Sequence, residues 1–176
     1  MPFIAIDFEA SCLPQVGRSF PIEVGIASSE GWSRSWLIRP HHSWAGWHWS
    51  AEAEALHGIP LERLHREGLD VRDIAARLRE AVKGYDVVAD SYFDDGWSRT
   101  LYQAAGEDSH VPVRCLAELR AFHEVERSRL AQALANADLQ RLRRHQAEDD
   151  ARWLARLLTE IGMGPEERAL SKVCAA

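Results

Sequence analysis

Three apolar runs of strand length fall within the first 38 residues, and their order constrains the fold more than any other feature of the chain. They are 3–8 (FIAIDF), 21–28 (PIEVGIAS) and 33–38 (SRSWLI), with a turn at Ser29–Gly31 between the last two. Strands that follow one another so closely pair antiparallel, so the chain is expected to open with a meander. Two later strand-like runs, 86–90 after Tyr85 and 112–116 (PVRCL), are separated from the meander and from each other by helical patterning. Strands that alternate with helices imply parallel pairing. The expected fold is therefore α/β, with one mixed sheet of an antiparallel three-strand meander plus parallel strands, flanked by helices.

The helical segments are read from spacing and end signals. Residues 70–82 place Val71, Ile74, Ala75, Leu78 and Val82 on one face, with Asp70 as N-cap and Gly84 as terminator. Shorter helices are expected at 51–57 and 97–105, a long amphipathic one over 116–135, and the last at about 146–161. At 176 residues the chain has the length of one domain, expected over 1–162 with 163–176 as a C-terminal tail.

Composition narrows the function classes. No apolar run approaches the roughly 20 residues that span a bilayer, so no membrane role is expected. The start MPFIAIDFEA lacks the basic region and cleavage site of a secretory signal. Cys12, Cys115 and Cys174 are odd in number and far apart, which fits a reducing cytoplasm. A net charge of −6 excludes a protein that coats nucleic acid through bulk charge. It leaves nucleases open, because carboxylates that hold divalent cations count as negative in a sequence and are neutralised at work.

Several acids sit where they cost energy. Asp7 and Glu9 lie at i and i+2 on the end of an apolar strand, hence on one face, with Phe8 on the other. Like charges so placed are either solvated at a strand end or share a cation between them. In the last helix, Asp150 falls inside the apolar stripe of Ala147, Ala151, Leu154, Leu157, Leu158 and Ile161. An inward carboxylate must be ion-paired, hydrogen-bonded or metal-bound. Asp90, Asp94 and Asp95 follow a strand at its carboxyl end, the usual ligand crevice of α/β sheets, where helix capping is the alternative role.

These residues, in this order, resemble the His-containing branch of the DEDD superfamily of 3′–5′ exonucleases. That branch has a ribonuclease H-like fold and includes ribonuclease T, oligoribonuclease and polymerase proofreading subunits. IAIDFEAS is similar to the family's first motif, and HQAEDDARWLARLL to its third, in which a His precedes an Asp by five residues. The middle motif departs from the pattern. Counting five residues from Asp90 selects Asp95, followed by Gly96 and Trp97 as in several relatives, whereas matching the family's Phe-Asp pair to Phe93-Asp94 selects Asp94 at the cost of a deletion. The offset favours Asp95.

The resemblance implies a metal-dependent 3′–5′ exonuclease acting on the 3′ ends of single-stranded DNA or RNA and releasing nucleoside 5′-monophosphates. It implies two Mg²⁺ or Mn²⁺ ions held by Asp7, Glu9, Asp95 and Asp150, and His145 as general base. Ala10, Ser11 and Cys12, with His57, Gly58 and Ile59, resemble the pocket for the terminal nucleotide. Trp44, Trp47 and Trp49 either stack bases or form a hydrophobic cluster under a loop. Arg141, Arg143 and Arg144 either meet phosphates or end a helix in solvent. A homodimer is left open. The competing functional class is a catalytically inactive module that binds nucleic acid or a partner through the same fold.

Overall fold

The computed structural model describes residues 2–141 and 143–163, so residues 164–176 of the expected tail lie outside the described part. Five strands form one sheet in the order β3-β2-β1-β4-β5. β1 (Phe3–Ala10), β2 (Pro21–Ser28) and β3 (Ser33–Leu37) are the expected antiparallel meander. β4 (Asp86–Ala89) and β5 (Arg114–Cys115) add parallel to β1 on the other side. The last strand is shorter than its sequence pattern suggested.

Alternation along β1 divides the interior in two. Ile4, Ile6, Phe8 and Ala10 face the larger apolar cluster, which α3 (Val71–Ala81) and α4 (Phe93–Ala104) cover with Ile74, Leu78, Leu101 and Tyr102. Phe3 and Ala5 face a second cluster beneath α6 (Arg127–Gln140) and α7 (Ala147–Glu160). Asp7 and Glu9 continue this second face, beyond the point where its apolar residues stop. α1 (Ala51–His57) has Ser50 as N-cap and a left-handed Gly58 at its end. α2 (Leu61–Glu67) follows directly and is an element the sequence reading did not anticipate.

Two helices differ from expectation. The amphipathic stretch 116–135 is a 3₁₀ turn (Leu116–Glu118), α5 (Arg120–Glu124) and the start of α6, because Leu119, Val125 and Glu126 adopt extended backbone angles. α4 starts at Phe93, four residues before the expected 97. That earlier start places Asp94, Trp97, Ser98, Leu101 and Tyr102 on one buried face at helical spacing. Among the described residues, no helix is long and apolar enough to cross a membrane.

α7 reaches the sheet through glycine. Gly25 stands opposite Asp7 in the β1–β2 ladder, and a Cβ there would lie 2.1 Å from the Ala147 carbonyl carbon. Close approach of another backbone is a standard reason for glycine inside a strand. The Ala147 N–H, left unpaired at the helix start, donates to the buried Glu23 carboxylate two residues away on β2, at 3.3 Å.

A Cβ at Gly25 has only backbone to push against, so Gly25→Ala is expected to cost at least about 1–3 kcal/mol, the scale of an overpacked core. Gly96 has open space around its Cβ position and sits within α4, so Gly96→Ala should instead stabilise by about 0.5–1 kcal/mol. Denaturant midpoints of the two variants give the comparison.

Candidate active site

A cleft of about 340 Å³ opens at the carboxyl ends of β1 and β4, the position that α/β sheets commonly use for ligands. Asp7, Glu9, Asp90, Asp94, Asp150 and His145 all line it. β1 supplies the first pair, the end of β4 supplies Asp90, and the first turns of α4 and α7 supply Asp94 and Asp150. Among the described residues, one ligand atom each from Glu9, His145 and Asp150 lies within 4.8 Å of the others.

Asp94, and not Asp95, faces this cleft. β4 pairs with β1 only as far as Ala5 opposite Val88. Beyond that pair, the Phe8 N–H donates to Asp94 Oδ1 at 3.0 Å, so a nearly fully buried carboxylate continues the ladder where the strand leaves it. Asp95 lies on the other side of the helix. Its Oδ1 accepts from the Val113 N–H and contacts His110 Nε2, both at 3.0 Å, and its Oδ2 accepts from Arg99. Burial opposes ionisation of Asp95, but the Val113 amide and His110 prevail and hold it below the usual carboxylate range. The structure thus brings Asp94 to the cleft and leaves the expected Asp95 outside it: adjacent helical residues are about 100° apart, and the early start of α4 turns the earlier one inward.

The other acids repel one another. Burial, followed by Asp94, Glu9, Asp150 and Asp90, raises the Asp7 carboxyl well above its ordinary value. Burial and then Asp150 and Glu23 push Glu9 up to about 8, against the pull of Arg141. Asp94 is raised by burial and by Asp90, although the Phe8 amide favours its charge. Asp90 is raised by desolvation and then by Asp150. Oxygen donors crowded at such cost, with an imidazole beside them, suit a hard divalent cation, which would neutralise the repulsion.

The segment before α7 fixes the placement of His145 and Asp150. His145 has φ 59°, a left-handed conformation that costs a residue with a Cβ about 1–3 kcal/mol. Its N–H donates to Asp150 Oδ2 at 2.8 Å, which leaves the ring exposed at the mouth of the cleft. The Gln146 amide spans the carbonyls of His57 and His145 at 2.9 Å each, and so joins the end of α1 to the start of α7.

Of the residues expected to bind substrate, Ala10, Cys12 and His57 line the cleft. Ser11 and Ile59 do not. The Ser11 hydroxyl accepts from the Phe20 N–H at 3.1 Å, and Ile59 belongs to the larger apolar cluster. His57 Nδ1 accepts from the Ile59 N–H at 3.0 Å, which places the ring proton of a neutral His57 on Nε2. Burial, and secondarily His145, lowers the His57 pKa to about 4 and keeps it neutral. Nε2 is the one buried side-chain polar atom without a partner among the described residues. None of the three tryptophans lines the cleft: Trp44 stacks on Phe20 at 5.3 Å, Trp49 tilts against it, and Trp47 carries the Arg18 guanidinium. Glu23, which caps α7 from β2, was missed, although an acid inside PIEVGIAS was a visible signal.

No family model and no curated protein matches the chain. Solved structures do match. A 3′-exonuclease that recognises a histone mRNA stem-loop superposes with TM-score 0.63 at 18% identity, over 92% of this chain and 64% of that one. An exonuclease I structure gives 0.70 at 15%, over 94% and 42%. Exonuclease I of E. coli bound to a dT13 oligonucleotide gives 0.67 at 15%, over 97% and 43%. The chain has the ribonuclease H-like α/β fold. It spans less than two thirds of the length of these structures, and at such identities the likeness concerns the fold.

Glu9 links the acid cluster to pH. An unfolded glutamate is already ionised above about 4.5, whereas folded Glu9 keeps its proton until about 8, so the folded state binds more protons in between. Stability without a cation must therefore fall as pH rises through that interval. His57 works in the opposite direction, but only below its unfolded value of 6.5. Melting temperatures in chelator should fall between about pH 6.5 and 8, and Mg²⁺ should raise them more at the higher pH. A flat profile in both conditions would mean that Glu9 ionises normally.

Proposed function

We propose that the chain is a metal-dependent 3′–5′ exonuclease that removes nucleotides from the ends of single-stranded DNA or RNA. The observation that carries this reading is the convergence of Glu9, His145 and Asp150 with Asp7 and Asp94 in one cleft of this fold. The motif order, first DFE and last His-x-x-x-x-Asp, supports the His branch of the DEDD superfamily. Crystallised neighbours of the same fold bind a histone mRNA stem-loop or a dT13 oligonucleotide, which supports a nucleic-acid strand as substrate.

Asp7, Glu9, Asp94 and Asp150 would hold two Mg²⁺ or Mn²⁺ ions. Bound there, such ions acidify a water and stabilise charge on the leaving oxygen. The protein's own residues do the remainder. His145, exposed at the mouth and tied through its backbone to Asp150, takes the proton of the attacking water. The water oxygen bonds to the terminal phosphorus as the bond to the preceding nucleotide's 3′ oxygen breaks, and that oxygen takes up a proton from solvent to become the new 3′ hydroxyl. The products are a nucleoside 5′-monophosphate and a strand one residue shorter. Leu13, Leu56 and Phe93 give the cleft an apolar wall for the terminal base, and His57 Nε2–H is a donor awaiting an acceptor on the sugar or phosphate.

One observation favours a second reading, an inactive module with the same fold: Asp150 already holds an arginine as its partner. Activity decides between them. End-labelled oligonucleotides should shorten from the 3′ end with Mg²⁺ or Mn²⁺ and remain intact in excess chelator. Asp94→Asn should abolish the hydrolysis, whereas Asp95→Asn should keep most of it and lose only stability. His145→Ala should slow turnover by roughly 10²–10⁴, the usual span for a general base, with metal affinity largely retained. Cleavage that persists in chelator, or survives Asp94→Asn, would overturn the assignment.

A further inference from the structure

Arg141 is the one arginine or lysine among the described residues that line the acidic cleft. It follows α6 directly, as that helix's C-cap, in extended conformation. Its Nε donates to Asp150 Oδ1 at 2.6 Å, and its Nη2 reaches the same oxygen. The contact is largely withdrawn from solvent, with the two side chains 15% and 9% exposed. Behind it, the guanidinium lies 4.9 Å from the ring centroid of Trp153, whose Nε1 donates to Asp138 at 2.9 Å. The remaining oxygen of Asp150 accepts the His145 amide. Both oxygens of this carboxylate therefore have protein donors, and the one facing Arg141 has two.

That arrangement conflicts with a cation site. A guanidinium and a divalent cation are both positive and want the same lone pairs, so they repel at the distances this cleft allows. Arg63 with Glu67 and Arg120 with Glu124, by contrast, are exposed helix-surface pairs away from the cleft. Among the described residues, Arg141 alone is held inside by a flat aromatic face and a buried carboxylate.

We propose that Arg141 is a built-in counter-ion that competes with the divalent cation for Asp150 Oδ1 and thereby sets the affinity of the site. This rests on the metal-binding reading above. The guanidinium compensates Asp150 until a cation takes over that role, and each cation bound must first release it. Release lowers the apparent affinity by the fraction of molecules in which Asp150 is free. Competition is reciprocal, so whatever loosens Arg141 tightens the cation.

Mn²⁺ titration of the full chain, without nucleic acid and read by the spin-resonance signal of the free ion, tests this directly. Arg141→Met keeps an apolar stem over Trp153 and should bind Mn²⁺ about 10-fold tighter or more, within the usual range of coupling between sites. Arg141→Lys keeps the charge but loses the two-donor contact, and should give an intermediate shift. In chelator the Met variant should melt below the wild type, because Asp150 loses its partner, and saturating Mg²⁺ should close that gap. Equal or weaker Mn²⁺ binding by both variants would overturn the competition while leaving the metal centre standing. If neither wild type nor variants bind Mn²⁺, the metal-centre reading falls, and the competition falls with it.

Discussion

The backbone contact between Gly25 and Ala147 is the constraint on which the rest of the site depends. Without a side chain at position 25, the first turn of α7 comes down onto the sheet directly across from Asp7. The same contact delivers the helix's free amide to Glu23 and carries Asp150 and His145 to the acids of β1. Alanines support it along the seam: Ala5 and Ala27 stand opposite each other on the sheet, while Ala147, Ala151 and Ala155 recur every four residues on the helix. Where a sheet face is this flat and a helix face this smooth, separation is set by backbone and not by interdigitating side chains.

Close packing explains the electrostatic character of the cleft. One face of β1 changes from Phe3 and Ala5 to Asp7 and Glu9 within a single strand, so the acids inherit a desolvated setting built for apolar residues. Burial is the largest influence on Asp7, Glu9, Asp90 and Asp94 alike, ahead of any individual neighbouring charge. The protein holds these groups together at a cost that its apolar clusters must offset. Such a cost is commonly met at functional sites.

Much of this was legible in the sequence because it depended on local periodicity. The meander follows from three short runs and a turn, and the inward position of Asp150 follows from the stripe of α7 around it. Asp94 was legible too, had α4 been started at Phe93: the residues at 94, 97, 98, 101 and 102 form one buried face, and only the assumed start at 97 hid the first of them. A count of residues from a motif fails where the helix has already begun, because each position then turns by about 100°. The division of 116–135 into three pieces was not legible, since its apolar spacing fits a continuous helix and the breaks lie in backbone angles at Leu119 and Val125. Nor was Arg141, one of three nearby arginines of equal chemical promise. Only the placement of Trp153 and Asp150 distinguishes it.

Gln146 has a consequence for how such a site could diversify. Its amide ties the carbonyl that ends α1 to the one that precedes α7, so the wall carrying His57 and the turn carrying His145 share one side chain as their hinge pin. A shift at the end of α1 would reach the turn that carries His145 through this side chain, without passing through the sheet. A lineage could thus alter the end of α1 and the placement of His145 together, through substitutions within α1, while Gly25 and the carboxylates remained fixed. The wall of the cleft and its imidazole would then change as one unit in this architecture.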